Sequence, residues 1–267
     1  MHGPDSAGPL RCGQVLPGRW LERPELRTIV AMDARHWMKS AIGAGRSDAS
    51  AWAAWLSLAL LLIVSQAARA QPAEVDFPTA DGGTIVANLY GAGSSAVVLA
   101  HGAIFDKESW HELAERLADE GLTVLAIDFR GYGRSRAGSS GRGALDEDVL
   151  AGIRYLAARG AREISVLGAS MGGGAAGEAA ANAVDGEIEH LILLAAVAYP
   201  EPERMTGTKL FIVSEGDSFR RSVEAQFRRA ADPKRLEILP GNAHAQHIFR
   251  TATGSALTEL IVAELTE

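Results

Sequence analysis

The chain has 267 residues, 47% of them apolar and 6% aromatic, with 26 Lys and Arg against 33 Asp and Glu. That length can bury one sizeable core, and the formal net charge of −7 argues against nucleic acid or an anionic membrane as partner. The only cysteine is Cys12, which excludes a disulfide framework and cysteine metal sites.

Residues 1–37 are rich in Arg and Pro and show no hydrophobic period. They read as a doubtful or disordered leader, with Met38-Lys39 a better translation start. Ala51 to Ser65 is a fifteen-residue run without charge, short of the about 20 residues that a membrane span needs. Lys39 and Arg46 precede it and Ala68-Arg69-Ala70 follows it, which is the pattern of a secretory signal with a small-x-small cleavage site. Residues 38–70 are therefore expected to be a signal peptide. The mature chain would start at Gln71 and be secreted or periplasmic. The alternative is a membrane anchor through an uncleaved 51–65 segment. Residues 71–267 keep 18 basic against 28 acidic side chains.

From Val75 to Tyr90 two strands are expected around a turn at Asp81-Gly82-Gly83. Strand and helix then alternate. Ala96–Ala100 is a buried strand, Ser109–Glu120 a helix and Leu122–Ile127 a strand. Arg130–Gly143 is a loop with five glycines, three serines and four arginines, followed by a helix over Leu145–Arg159. Ile164–Leu167 is a strand, Gly173–Ala183 a small-residue helix, and His190–Ala198 and Lys209–Ser214 are strands. Phe219–Ala231 is a helix, Arg235–Leu239 the last strand and Gly254–Leu265 the closing helix. Short apolar strands alternating with amphipathic helices indicate a mostly parallel sheet with helices on both faces, here led by an antiparallel hairpin.

Gly168-Ala169-Ser170-Met171-Gly172 matches Gly-x-Ser-x-Gly. The match alone is weak, but it follows a buried strand and opens a helix, the context that exposes a nucleophilic serine at a sheet edge. A phosphate-binding turn is disfavoured, because the P-loop lysine and the dinucleotide spacing are missing. A serine hydroxyl needs a base oriented by an acid, in the chain order Ser, acid, His. His244, just after the last strand, is the expected base with His247 as fallback, while His190 enters a strand too early. Asp217 is the preferred acid. Glu215 is the alternative, Glu201 and Glu203 are more remote ones, and Asp217 could instead cap the helix near Phe219. The oxyanion donors expected are the amides of Met171 and Ala103, with Ile104 as alternative to the latter. His101 then has a structural role. His244-x-x-His247 lacks an evident third ligand, so neither a metal nor a cofactor is expected.

The motifs His101-Gly102, Asp128-Phe129-Arg130-Gly131-Tyr132-Gly133-Arg134-Ser135, Gly168 to Gly173, Gly216-Asp217 and Gly241-Asn242-Ala243-His244 occur in the order of the α/β-hydrolase superfamily. The chain resembles its small esterase and dienelactone-hydrolase-like members over most of residues 75–267. The resemblance implies an α/β-hydrolase fold and an acyl-enzyme mechanism on carboxylic esters. Its substrate would be a small-molecule ester or acyl compound, with no stable membrane partner once the signal is removed. Dienelactone hydrolases proper use a cysteine nucleophile, so that activity does not carry over. Only Tyr199–Thr208 separates the sixth and seventh strands, so no cap domain is expected. The Asp128–Ser135 stretch implies a turn shaping the pocket floor, without a catalytic role. Arg130, Arg134, Arg136 and Arg142 read as a solvated loop, or less readily as a guide for an anionic substrate. Acyl transfer or peptide cleavage by the same residues, or a non-catalytic binding protein of this fold, remain the alternatives.

Overall fold

A computed structural model describes residues 71–266; the expected leader, signal peptide and 51–65 segment lie outside the described residues. The chain forms one eight-stranded sheet in the order β1-β2-β4-β3-β5-β6-β7-β8. Strands β1 (Ala73–Pro78) and β2 (Thr84–Tyr90) make the expected hairpin, and β2 pairs antiparallel with β4 (Thr123–Ile127). From β4 onward every pairing is parallel, through β3 (Ser95–Ala100), β5 (Glu163–Ala169), β6 (His190–Leu194), β7 (Thr208–Ser214) and β8 (Lys234–Leu239). This is the α/β-hydrolase fold.

Helices cover both faces. α1 (His111–Asp119) and α5 (Gly254–Thr266) pack together on one side. α2 (Leu145–Ala158) and α3 (Met171–Asn182) pack together on the other. There α4 (Arg220–Arg229) joins them through a 3-10 turn at Pro202–Arg204. That coverage explains the unbroken apolar runs in the middle strands: Val97, Val98, Leu99, Val166, Leu167, Leu191 and Ile192 are wholly buried. Among the described residues no helix is long and apolar enough to cross a membrane.

Two element boundaries differ from the sequence expectation in ways that matter for the site. β6 ends at Leu194 rather than Ala198. Ala195 turns out of the strand at φ 46°, and Ala196 and Val197 pack under α3 instead. The apolar character of Ala195 and Ala196 reflects burial, which strands and packed loops share, whereas Ala198 is exposed. The helix after Ser170 begins at Met171 rather than Gly173, because its first turn is closed by the Ser170 carbonyl, which accepts from the Gly173 and Gly174 amides. Among the described residues only the short Pro202–Arg204 turn lies between β6 and β7, so no cap domain is inserted there.

The glycine- and arginine-rich loop after β4 is mostly exposed, as expected for Arg134, Arg136 and Arg142, but it is pinned at its base by the buried Arg130 and Ser135. Arg130 is 2% exposed. Its backbone amide and Nε both donate to Asp148 at 2.8 Å, Nη1 donates to Asp81 at 2.9 Å, and Nη1 also reaches the Gly141 carbonyl at 2.8 Å. One guanidinium thus joins the β1–β2 turn, the loop after β4 and helix α2. Ser135 Oγ donates to the Asp128 carbonyl and accepts from the Val86 amide. Gly133 is required at φ 49° because a Cβ there would collide with the Asp128 carboxylate. The expectation of a solvated Arg130 therefore fails: a planar, permanently charged fork satisfies two carboxylates at once and can stay buried. Arg134 pairs with Glu74, and the Arg136 backbone pairs with Thr84.

The network is short of positive charge. Burial raises the Asp148 carboxyl to about 6 even beside Arg130. Asp81 is held well below the usual carboxylate range, first by the Thr79 hydroxyl and then by Arg130. A raised carboxyl takes stability away as pH rises from its unfolded value toward its folded one, and a lowered carboxyl does the reverse at more acid pH. Arg130→Met should cost about 3–5 kcal/mol at pH 8, the usual penalty for stripping a partner from a buried ion pair. The loss should shrink toward pH 5, where Asp148 can take up a proton. Urea unfolding of both proteins at the two pH values checks this, and an equal loss at both would contradict it.

Candidate active site

The carboxyl ends of the parallel strands bring together Ser170, Asp217 and His244. Strand β5 runs into Ser170, whose backbone sits at φ 51°, ψ −115°, a region a residue with a Cβ occupies only when its surroundings force it. Here they do. The Ser170 amide donates to the Leu194 carbonyl at 2.9 Å, and its own carbonyl accepts from Gly173, Gly174 and Val197. The turn can close because its flanks lack side chains. A Cβ on Gly168 would collide with the Gly172 carbonyl, and one on Gly172 with the Ala100 and His101 carbonyls.

Strand β7 ends at Ser214, and the loop beyond it carries Asp217; β8 ends at Leu239, and the loop beyond it carries His244. The two loops are laced together. Ser214 Oγ donates to the Ala243 carbonyl at 2.6 Å, and the Gly216 amide donates to the Gly241 carbonyl at 2.8 Å. The result is a line of three side chains. His244 Nδ1 lies 2.8 Å from Asp217 Oδ2, and His244 Nε2 lies 2.8 Å from Ser170 Oγ. The ionised carboxylate can only accept, so Nδ1 carries the proton and Nε2 is free to accept from the serine hydroxyl. Such a line can take the hydroxyl proton as oxygen attacks and return it to a leaving group. Asp217 is 6% exposed with a fully buried carboxylate, and the His244 ring is about one-third exposed.

Asp217 Oδ2 faces His244 while Oδ1 accepts from the Phe219 amide at 2.8 Å. The N-cap of α4 is Phe219, so Asp217 stands ahead of the helix rather than capping it. Among the alternatives, Glu215 is exposed, Glu201 pairs with Arg204 and Glu203 with Arg229. His247 is exposed and meets the Phe105 ring at a tilt of 60°, centroids 5.0 Å apart. None of these is brought to Ser170.

The loop after β3 faces the same point. A Cβ on Gly102 would stand 3.5 Å from Ser170 Cβ. The Gly102 carbonyl accepts from His101 Nδ1 at 2.8 Å and from the Phe105 amide at 3.0 Å. Because a trans peptide holds its C=O and N–H on opposite sides, fixing that carbonyl also fixes the direction of the Ala103 N–H. His101 is fully buried, burial lowers its pKa, and Nε2 accepts from the Phe129 amide at 3.2 Å. A neutral imidazole of one tautomer meets both demands. Among the described residues, neither the Ala103 nor the Met171 amide donates a backbone hydrogen bond. Met171 is the first residue of α3, where such amides are free by geometry. They are therefore available as donors, and the helix terminus favours negative charge there. Ile104, the alternative donor, is 79% exposed.

Three residues at the site have no counterpart in the sequence reading. Tyr132, inside the Asp128–Ser135 stretch, donates its hydroxyl to the Ala103 carbonyl at 2.8 Å. Gln246 accepts from the Gly102 amide at 2.7 Å. Phe219 stacks on the His244 ring, with centroids 4.7 Å apart and planes 29° apart. The only sequence signal was proximity: Phe219 and Gln246 each stand two places from a singled-out residue.

Comparison with known proteins agrees with this architecture. Among solved structures, an esterase from Exiguobacterium antarcticum superposes with a TM-score of 0.61 at 18% identity, covering 73% of this chain and 100% of that one. A dienelactone hydrolase from Anabaena variabilis gives 0.58 at 21% identity, covering 73% and 97%. The esterase Pf2001 from Pyrococcus furiosus gives 0.60 at 19% identity, covering 74% and 93%. At such identities these likenesses speak to the fold. Residues 97–261 match the family described as the alpha/beta hydrolase family, a span that includes Ala103, Ser170, Asp217 and His244. The chain belongs to the alpha/beta hydrolase family.

Proposed function

We propose that this protein is a serine hydrolase of carboxylic esters, with Ser170 as nucleophile, His244 as general base and acid, and Asp217 as the group that orients it. The reading is carried by the unbroken line from Asp217 Oδ2 through the His244 ring to Ser170 Oγ. Ser170 Oγ bonds to the ester carbonyl carbon as its proton passes to His244 Nε2. The carbonyl electron pair becomes an oxyanion, received by the amides of Met171 and Ala103. Collapse breaks the bond to the alkoxy oxygen, which leaves as the alcohol with the proton from His244. A water then attacks the acyl-serine, giving its proton to His244. The second collapse releases the acid and returns the proton to Ser170.

The substrate class follows from the rim. Ile104 is 79% exposed beside the Ala103 donor, and Phe219 is 37% exposed on the face of His244. An exposed isoleucine next to the Ala103 donor and a partly exposed phenylalanine on the His244 ring suit an ester whose acyl or alcohol part is apolar. The short connection between β6 and β7 suits substrates that approach from solution.

We propose further that residues 38–70 are a cleaved signal and that the enzyme acts outside the cytoplasm, on the strength of the uncharged 51–65 run and the Ala68-Arg69-Ala70 site.

A fluorophosphonate probe should label the wild type at Ser170, and labelling elsewhere, or none in folded protein, would count against the nucleophile. Ser170→Ala should lower kcat by roughly 10⁴-fold or more, and Asp217→Asn by roughly 10³–10⁴-fold. Phe219→Ala and Ile104→Ser should each raise KM by roughly 5–20-fold for hexanoate esters while leaving acetate esters nearly unchanged. Equal effects on both chain lengths would remove these side chains from substrate binding. Amino-terminal sequencing of the protein recovered from an exporting host should begin at Gln71, and retention of residues 51–65 would favour an anchor.

A further inference from the structure

We infer that Gln246 is a positioning residue that straps the oxyanion loop to the segment carrying His244, so that the base and the Ala103 amide are set as one unit. The inference rests on the ester-hydrolase reading above. Gln246 is 3% exposed, and both ends of its amide are engaged. Oε1 accepts from the Gly102 amide at 2.7 Å, and Nε2 donates to Ser109 Oγ at 2.6 Å. Ser109 Oγ in turn donates to the Asp106 carbonyl. One side chain therefore spans from the turn after β8 to both ends of the loop after β3.

The backbone is bent to achieve this. Between His244 and Gln246 stands Ala245, buried and at φ 50°, an uncommon conformation for alanine that persists only where its neighbours dictate it. This turn sends the His244 ring toward Ser170, while Gln246 reaches Gly102.

The point of attachment matters more than the bond. Gly102 has the freest backbone torsions in the loop, and rotation about them would swing the next peptide, whose N–H is the Ala103 donor. His101 and the Phe105 amide hold the Gly102 carbonyl and Tyr132 holds the Ala103 carbonyl, and Gln246 holds the Gly102 amide on the other side of the same pair of torsions. A Cβ at Gly102 would lie 3.3 Å from Gln246 Oε1 and 3.5 Å from Ser170 Cβ, so the strap closes the loop directly beside the nucleophile. Donors aimed at a developing oxyanion lose their effect when displaced by a fraction of an ångström. The expected signature is thus a fall in kcat with little change in KM.

Two variants separate positioning from mere stability. Gln246→Met keeps length and volume without an acceptor, whereas Gln246→Glu, assayed at a pH low enough for its buried carboxyl to stay protonated, keeps an oxygen for the Gly102 amide and an O–H for Ser109 Oγ. Kinetics on p-nitrophenyl acetate, amide hydrogen exchange at Gly102 followed by NMR, and the thermal midpoint are measured for both and for wild type. Gln246→Met should lose roughly 30–100-fold in kcat, with KM within about twofold. Its Gly102 amide should exchange at least about tenfold faster. Gln246→Glu should recover kcat to within about fivefold of wild type and restore the slow exchange. The inference is overturned if Gln246→Met keeps wild-type kcat and Gly102 exchange. It is also overturned if both variants lose kcat equally and in step with the thermal midpoint. Should the wild type hydrolyse no ester, the proposed function falls, and Gly102 exchange in the two variants still decides whether the strap exists.

Discussion

The constraint on which the rest of this site depends is the backbone of one residue. Ser170 is held at positive φ despite its Cβ, a conformation that costs on the order of 1–3 kcal/mol. The offset is local and visible: its carbonyl gathers three amides, from Gly173, Gly174 and Val197, and its amide finds the Leu194 carbonyl. Each of those bonds has a structural consequence. The first two begin helix α3 immediately after the serine, leaving the Met171 amide without an intrahelical partner. The third draws the chain after β6 under that helix, which ends β6 early. The glycines at 168 and 172 are where the strand, the helix and the neighbouring β3 loop approach too closely for any side chain.

Around this turn, rigidity comes from polar lacing between loops rather than from regular structure. The Asp217 loop and the His244 loop are tied by Ser214 and Gly216. The β3 loop is tied by His101, Tyr132 and Gln246. Behind it, Asp128 accepts from the Lys107 amide and pairs with the Lys107 ammonium, anchoring the far end of the same loop to the turn after β4. Arg130 then fixes that turn to the hairpin and to α2. The Asp128–Ser135 stretch thus holds the loop after β3 at both ends, through Tyr132 on the Ala103 carbonyl and Asp128 on Lys107. Its residue types follow from burial: a cation shared by two carboxylates, a serine satisfying two backbone groups, a glycine where a carboxylate presses.

What could be read from the sequence and what could not divide along a physical line. Strands such as Ala96–Ala100 and Ile164–Leu167 were legible because burial on both faces leaves an unbroken apolar run. The positions of Ser170 and Asp217 were legible because they follow such runs and sit near glycines. His244 follows a charged, half-exposed strand and was legible from the Gly241 turn and the chain order. Ala195 and Ala196 misled, because a packed loop and a buried strand need the same residues. Gln246 was illegible because its partner, Gly102, lies 144 positions away. Nothing local distinguishes a buried glutamine from a solvated one. Arg130 misled for the same reason: its partners, Asp81 and Asp148, lie 49 and 18 positions away, and a loop rich in Gly, Ser and Arg otherwise reads as solvent-exposed. Phe219 looked like the apolar start of a helix, and its use as a face for His244 depends on where the β8 loop returns.

An uncapped site raises a question about electrostatics that the rim answers. On the proposed chemistry, charge develops between the Ala103 and Met171 amides and is matched by an imidazolium at His244. Both lie near water, since Ala103 is exposed and the His244 ring about one-third so. Interactions between charges and dipoles weaken several-fold when water has access, and in many enzymes a lid excludes it. Here Asp217 is the one member already shielded, its carboxylate fully buried and both oxygens hydrogen-bonded. The remaining shielding has to arrive with the substrate. An apolar group laid against Ile104 and Phe219 would cover the oxyanion donors on one side and the imidazole on the other. The same contact that binds the ester would then dry the groups that react with it. Binding and catalysis would share those two side chains, so that an ester too small to reach them would be held weakly and would react in a wetter, less effective site.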